Sequence, residues 1–135
     1  MSTLSLLTSQ QKQSKATTRI NRNSKLFKTI VQAVQEKKAE AIVSLDLRKI
    51  PEAVADFFII CEATSTTQVK AIADNVEQKV KELCFELPYR HEGTHGAQWI
   101  LVDYVNIVVH VFQPETRKFY RLEEMWSDAQ AQEHA

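Results

Sequence analysis

Glycine is almost absent from this sequence, since the 135 residues include only Gly93 and Gly96. A phosphate-binding loop needs several glycines so that backbone amides can approach the oxygens, and neither the P-loop motif nor GxGxxG occurs. The sequence therefore has no nucleotide fingerprint, and we expect no cofactor. The two glycines lie close together in the segment YRHEGTHGAQ, which predicts an unusual backbone path there.

Cysteine is also rare, and the two cysteines, Cys61 and Cys84, lie far apart in apolar runs. A disulfide scaffold or a CxxC redox motif would need closer spacing, so we expect reduced, buried thiols. No apolar run approaches the roughly 20 residues that are needed to cross a bilayer. We therefore expect a soluble, cytoplasmic protein that has no membrane partner.

Acidic residues are missing from the start of the chain. Residues 1–35 contain six basic residues and no acidic one, whereas residues 36–135 contain 11 basic and 17 acidic residues. An acidic domain repels phosphate backbones and suits a basic protein partner, which argues against sequence-specific nucleic-acid binding. Residues 1–24 are rich in Ser, Thr and Gln, which predicts a disordered basic arm, with an organellar targeting signal as the alternative.

The chain is long enough for one hydrophobic core, because 44% of its 135 residues are hydrophobic. We place a single domain at residues 25–127 and expect residues 128–135 to be a C-terminal tail. Ser24 is expected to cap a first helix, and Ser65 a second helix whose apolar stripe extends to Leu87 and which Pro88 ends.

Strands are predicted at residues 41–47 and 57–61, with one helical turn at residues 51–54 between them. A strand, the long helix and a further strand suggest a parallel crossover, so we expect an α/β fold with a mixed sheet flanked by helices. After residue 113 the pattern predicts a turn, a short extended piece at 118–122 and a helix at 123–130.

The most apolar segment, QWILVDYVNIVVHVFQ at residues 98–113, predicts a hairpin through the middle of the sheet. Its arms are residues 99–102 and 105–112, and the enrichment in Ile and Val suggests that both faces are covered. Core packing does not require four residues of this segment, which are Trp99, Asp103, Tyr104 and His110. Trp99 beside a carboxylate is typical of an interface, but a core Trp with an edge Asp fits the pattern equally well.

Several polar residues admit both a catalytic and a structural reading. His91, Glu92 and His95 could bind zinc on a helix, but nearby Gly and Pro residues argue against a helix, and we expect no metal. Single carboxylates at Asp46, Asp56 and Asp103 fit strand-end caps better than a metal-assisted transferase. A catalytic pair of Cys61 or Cys84 with His110 would depend on spatial proximity, and both thiols look like small core residues.

Three segments together resemble the ribosomal silencing factors, also called Iojap-like proteins. They are DFFIICEATSTTQVKAIADNV at 56–76, EGTHGAQWILVDYVNIVVHVFQPETRKFYRLEEMW at 92–126, and the weaker AIVSLDLRKI at 41–50. The resemblance implies a fold related to nucleotidyltransferases but without their catalysis. It also implies a non-enzymatic repressor of translation that binds large-subunit ribosomal protein fourteen and sterically blocks joining of the ribosomal subunits when nutrients are scarce.

The resemblance places the contact surface on the hairpin and its neighbours, and it implies a homodimer in the free protein. One departure concerns the hairpin turn, where the family often has Gly and this chain has Val105, which disfavours a positive φ. The alternatives are a ribosome assembly factor on the same surface and a residual nucleotidyltransferase or nucleotide-binding enzyme. The implied contact residues are Trp99, Ile100, Leu101, Asp103, Tyr104, Arg117 and Tyr120.

Overall fold

A computed structural model describes residues 21–135 of the chain, so most of the predicted basic arm at residues 1–24 lies outside the described residues. The described residues form one mixed α/β domain, which confirms the predicted fold class, while a relation to nucleotidyltransferases remains a prediction. The elements in chain order are α1 (Lys25–Glu36), β1 (Glu40–Asp46), β2 (Phe57–Glu62), α2 (Thr66–Cys84), β3 (Arg90–Glu92), β4 (Trp99–Asp103), β5 (Ile107–Phe112), α3 (Pro114–Tyr120), α4 (Leu122–Met125) and β6 (Gln130–His134).

The six strands form one sheet in the order β3-β4-β5-β2-β1-β6. The central pair, β2 and β5, is parallel and in register from Phe57 opposite Ile107 to Glu62 opposite Phe112. Helix α2 lies between these two strands in the chain, so the predicted crossover is confirmed. Strands β4 and β5 form the predicted antiparallel hairpin, and the other neighbouring pairs are also antiparallel.

Both long helices begin where their capping residues predict. The Ser24 hydroxyl accepts a hydrogen bond from the Phe27 amide at 3.3 Å, and Ser65 does the same for Gln68 at 3.1 Å. Helix α2 ends at Cys84, three residues before the predicted end, because Phe85 takes a left-handed conformation with φ of 57°. Residues 51–54 form turns rather than the predicted helical turn.

The two faces of the sheet are covered differently. Helices α1 and α2 pack on one face against alternate residues of the central strands, including Ile59, Val102 and Val109. A smaller cluster around Leu122 and Phe112 covers the opposite face. All six residues of β5 are buried, as the apolar run predicts, yet the second face keeps several half-buried side chains.

The C-terminal region differs from its prediction. Residues 114–120 form helix α3 instead of a turn and an extended piece, because Pro114 begins the helix and Glu115 and Lys118 match the helix dipole. The helix predicted at 123–130 is only the short α4, which Arg121, with φ of 52°, separates from α3.

The predicted tail at residues 128–135 is wrong for residues 130–134. These residues form β6, which pairs antiparallel with β1 from Ile42 opposite His134 to Asp46 opposite Gln130. The sequence QAQEH has no apolar alternation because the strand lies at the edge of the sheet, where its side chains are largely exposed. Backbone pairing with β1 holds it in place.

Candidate functional site

A row of aromatic rings crosses the second face of the sheet. Phe119 contacts Tyr120 at 5.1 Å between ring centroids, and Tyr120 contacts Trp99 at 4.7 Å. His110 then links Trp99 to Phe58, at 5.9 and 4.6 Å, and Phe58 contacts Trp126 at 6.1 Å. Leu101 lies beside Trp99 on the same side of β4. We use the name aromatic face for Leu101 together with the half-buried and exposed aromatic residues of this row. The aromatic face comprises Phe58, Trp99, Leu101, Phe119, Tyr120 and Trp126.

Trp99 is both a core residue and a surface residue. Its ring stacks on Phe112 at 4.9 Å with an interplanar angle of 25°, while Tyr120, which is 47% exposed, packs from the solvent side. A half-buried aromatic ring with this support keeps its orientation and still offers contact area. The core reading of Trp99 is thus correct in part, and the interface reading stays a prediction.

His110 lies beneath this surface and contacts Trp99 directly. The Trp99 indole Nε1–H donates a hydrogen bond to His110 Nδ1 at 3.1 Å. Burial lowers the pKa of His110 to about 3, against a small opposite effect of the Asp103 charge, so the ring is neutral at neutral pH. The second ring nitrogen, Nε2, is buried and has no hydrogen-bond partner among residues 21–135.

Arg117 fastens helix α3 to the sheet. Its guanidinium donates to both carboxylate oxygens of Glu123, at 3.1 and 2.9 Å, and also to Glu62 at 3.0 Å and to the Ala41 carbonyl at 2.8 Å. Burial alone would lower the pKa of Arg117, but the hydrogen bonds and charges of Glu123 and Glu62 outweigh burial and raise it. The guanidinium is therefore a permanently charged anchor that links β1, β2, α3 and α4.

Comparison with known proteins gives the family. A family model described as "Ribosomal silencing factor during starvation" matches residues 20–135. The chain belongs to the ribosomal silencing factors. A ribosomal silencing factor from Halalkalibacterium halodurans is 42% identical over 107 residues, which are 79% of this chain and 90% of that protein.

Two further comparisons extend this finding. A crystal structure of a protein from Chromobacterium violaceum superposes with a TM-score of 0.71 at 32% identity, covering 76% of this chain and 83% of that one. A mouse protein named "Mitochondrial assembly of ribosomal large subunit protein 1" is 36% identical over 74 residues, which are 53% of this chain and 32% of that protein.

The structure divides the contact residues that the silencing-factor resemblance implied. Trp99, Leu101 and Tyr120 have accessible side chains on the aromatic face. The other four have almost no accessible surface in this conformation. Those four, with their exposed fractions, are Ile100 (1%), Asp103 (0%), Tyr104 (4%) and Arg117 (9%).

Sequence reasoning missed three members of the aromatic face: Phe58, Phe119 and Trp126. Phe119 lies on helix α3, and the prediction of a turn and an extended piece at residues 114–122 was wrong. Pro114 and Glu115 are nevertheless ordinary signals of a helix start. Phe58 belongs to a continuous apolar strand in the sequence, and only the incomplete cover on this side of the sheet leaves it half-buried.

The three carboxylates considered for catalysis in this silencing factor are each engaged in local contacts. Asp103 accepts the Val105 amide at 2.7 Å and caps the end of β4. Asp56 accepts the Asn106 side-chain amide at 3.0 Å. Asp46 forms a two-bond ion pair with Arg48, at 2.9 and 2.7 Å, and this hydrogen bonding lowers the pKa of Asp46.

The remaining candidates also have local partners. His91 lies in a strand and its Nδ1 atom is 3.1 Å from a carboxylate oxygen of Glu77. Within residues 21–135, no three His, Cys, Asp or Glu side chains are grouped as a metal site requires. Both cysteines are free thiols, and burial raises the pKa of Cys61 to about 12, whereas Cys84 is only partly buried. No helix in the described part of the chain is long and apolar enough to span a membrane.

Proposed function

We propose that this ribosomal silencing factor docks on the large ribosomal subunit through the aromatic face and prevents the small subunit from joining, which represses translation under nutrient limitation. The observation that carries the proposal is the continuous row of ring contacts from Phe119 to Trp126 across the less covered side of the sheet. Partly exposed aromatic clusters with internal support are the usual energetic centres of protein interfaces.

We propose large-subunit ribosomal protein fourteen, a basic protein, as the direct partner. One carboxylate lies at the apolar patch, since Glu115 lines a cleft of about 600 Å³ beside Phe119 and Tyr120. Residues 36–135 as a whole contain 17 acidic and 11 basic residues, and this excess of acid fits a partner that offers apolar side chains among Lys and Arg. The same acidity disfavours direct contact with nucleic acid.

The proposed mechanism is steric and needs no chemistry from this chain. The contacts of Asp46, Asp56 and Asp103 support this view, because each carboxylate already serves a turn or an ion pair. The bound chain only has to occupy the place on the large subunit that the small subunit would otherwise occupy. We propose the cytoplasm as the place of this action, the compartment that the similarity to bacterial ribosomal silencing factors suggests.

The test is sedimentation of purified large and small subunits with the protein, scoring binding to the large subunit and the yield of joined ribosomes. We expect binding and fewer joined ribosomes. Phe119→Ala should weaken binding, whereas Phe85→Ala, which removes an even more exposed aromatic ring outside the aromatic face, should not. Equal effects of the two substitutions would contradict docking through this face, and no binding to either subunit would contradict the function.

A second function is favoured by the mouse relative, whose name refers to assembly of the large ribosomal subunit. An assembly factor could use the same face on precursor particles without repressing translation. Mature subunits separate the two functions, because an assembly factor would leave the rate of their joining unchanged. A silencing factor slows that joining in proportion to its occupancy.

We also propose that the free protein forms a homodimer that covers the aromatic face. The apolar members Phe119 and Tyr120 are 78% and 47% exposed, and self-association would remove them from water. Sedimentation equilibrium should therefore show a dimer that Trp99→Ala weakens. A monomer at all concentrations would contradict the dimer without affecting ribosome binding.

A further inference from the structure

His110 is a costly residue for the place that it occupies. Strand β5 is buried along its whole length, and His110 is 3% exposed within it. Its Nε2 atom has no hydrogen-bond partner within the described part of the chain. An apolar side chain of similar size would avoid this unpaired polar atom, so packing of the core does not explain the choice of histidine.

The other ring nitrogen supplies an explanation. Nδ1 accepts the Trp99 indole N–H at 3.1 Å, and the low pKa of His110 keeps that nitrogen free to accept. Phe112 stacks on the indole from the same strand, so two β5 residues determine where the ring lies. Because its one polar atom is paired inside the protein, Trp99 presents apolar ring surface to a partner.

We propose that His110 is a positioning residue of the aromatic face, which fixes the indole orientation of Trp99 that the large-subunit partner recognises. The inference rests on the proposed function, because the value of a fixed indole is the docking that it permits. His110 itself is too buried to touch a partner. Without its acceptor, the Trp99 N–H would have to turn toward water to regain a hydrogen bond, and the ring would leave its stacked position.

Two substitutions separate positioning from packing. His110→Phe keeps an aromatic ring but removes the acceptor, whereas His110→Asn is smaller but places an amide oxygen near the Nδ1 position. A purely structural His110 predicts that the larger, apolar Phe is tolerated better in every assay. Positioning predicts a crossed result, in which His110→Phe melts at the higher temperature while His110→Asn keeps the function.

The first readout is the nuclear magnetic resonance signal of the tryptophan indole N–H groups, which needs no ribosome. The chain has two tryptophans, and Trp126→Phe assigns their signals. We expect the Trp99 signal to move and to exchange faster with water in His110→Phe, and to stay near its wild-type position in His110→Asn. In the wild-type protein, Nδ1 of His110 must be the unprotonated nitrogen, and a protonated Nδ1 overturns the proposal even if a variant fails to fold.

The second readout is affinity for purified large subunits. We expect His110→Phe to bind about tenfold more weakly, which corresponds to about 1.4 kcal/mol, and His110→Asn to stay within a few-fold of wild type. If the Trp99 signal moves in His110→Phe but the affinity does not, the positioning proposal fails, while a loss of binding in Trp99→Ala keeps the docking function. If Trp99→Ala binds as tightly as wild type, docking through Trp99 fails and the positioning role fails with it.

Discussion

Gly93 lies directly against the backbone of Trp99. A Cβ atom built on Gly93 would be 1.9 Å from the Trp99 carbonyl oxygen, and the φ of Gly93 is +86°. Neither steric space nor backbone conformation therefore permits a side chain at this position. The loop before β4 can therefore pack this closely against Trp99 of β4 only because residue 93 is glycine.

Gly93→Ala is expected to destabilise the domain by about 3 kcal/mol or more, because the backbone of β4 must move to admit the methyl group. Gly96→Ala is the matched control, since a Cβ there meets nothing within 4 Å. Urea unfolding of the two variants measures the difference. Similar midpoints for both would show that the loop does not hold β4 in this position.

Val105 carries backbone strain in the hairpin turn. Its φ is +73°, although it is β-branched, in a three-residue turn that the Asn106 amide closes by donating to the Tyr104 carbonyl at 2.8 Å. Val105→Gly should raise the free energy of unfolding by about 1 kcal/mol, since relief of strain exceeds the entropy that glycine adds to the unfolded chain. Val105→Ala, which keeps a Cβ, should give less, and a gain as large as that of glycine would assign the effect to the side chain instead.

The burial of neutral His110 predicts acid sensitivity. The pKa is about 6.5 in the unfolded chain and about 3 in the folded one, so below pH 6.5 the unfolded state binds the extra proton. Stability contributed by the neutral ring is complete above pH 6.5 and is lost as pH falls toward 3, by about 1.4 kcal/mol per pH unit. Unfolding free energies from pH 8 to 5 should fall by about 2 kcal/mol more for wild type than for His110→Asn. If the curves of unfolding free energy against pH were parallel for the two proteins, a group other than His110 would take up the proton.

We expect Arg117 to hold α3 against the sheet rather than to contact the ribosome directly. Arg117→Lys keeps the charge but loses the two-bond geometry to Glu123, so we expect about 2 kcal/mol of destabilisation together with weaker subunit binding. Arg121→Lys is the control, because Arg121 is 68% exposed and 3.6 Å from Glu124. That exchange should change stability by less than about 0.5 kcal/mol. A lower affinity with unchanged unfolding would instead favour direct contact by Arg117.

The sequence predicted the centre of the domain well because its signals there agree. Ser24 and Ser65 mark helix starts, and the run from Ile107 to Phe112, apolar except at His110, marks a strand that is covered on both faces. Beyond residue 113 the apolar period is too short to distinguish helix from strand. Strand β6 is specified by pairing with β1, and that signal is not local to its own residues.

The candidate site was predicted only in part for a similar reason. Trp99 and Tyr120 stand out as aromatic residues near the hairpin, but exposure depends on which face the short helices leave uncovered. Arg117 and Asp103 are attractive in sequence as charged contacts, and the structure uses them as internal anchors. Their partners include the Ala41 carbonyl and the Val105 amide, which are backbone groups that no residue pattern reveals.

Strand β6, at the edge of the sheet, is synthesised after every other strand in the described part of the chain. Strand β1 pairs with β2 on one side, but its other edge can pair only after Gln130–His134 have been synthesised. Until residues 130–134 are synthesised, the nascent chain exposes a row of unpaired backbone groups along residues 42–46, which invites pairing with another chain. A truncated product that stops before residue 130 would keep the aromatic face and lose this protection, so premature termination should yield aggregation rather than a smaller working domain.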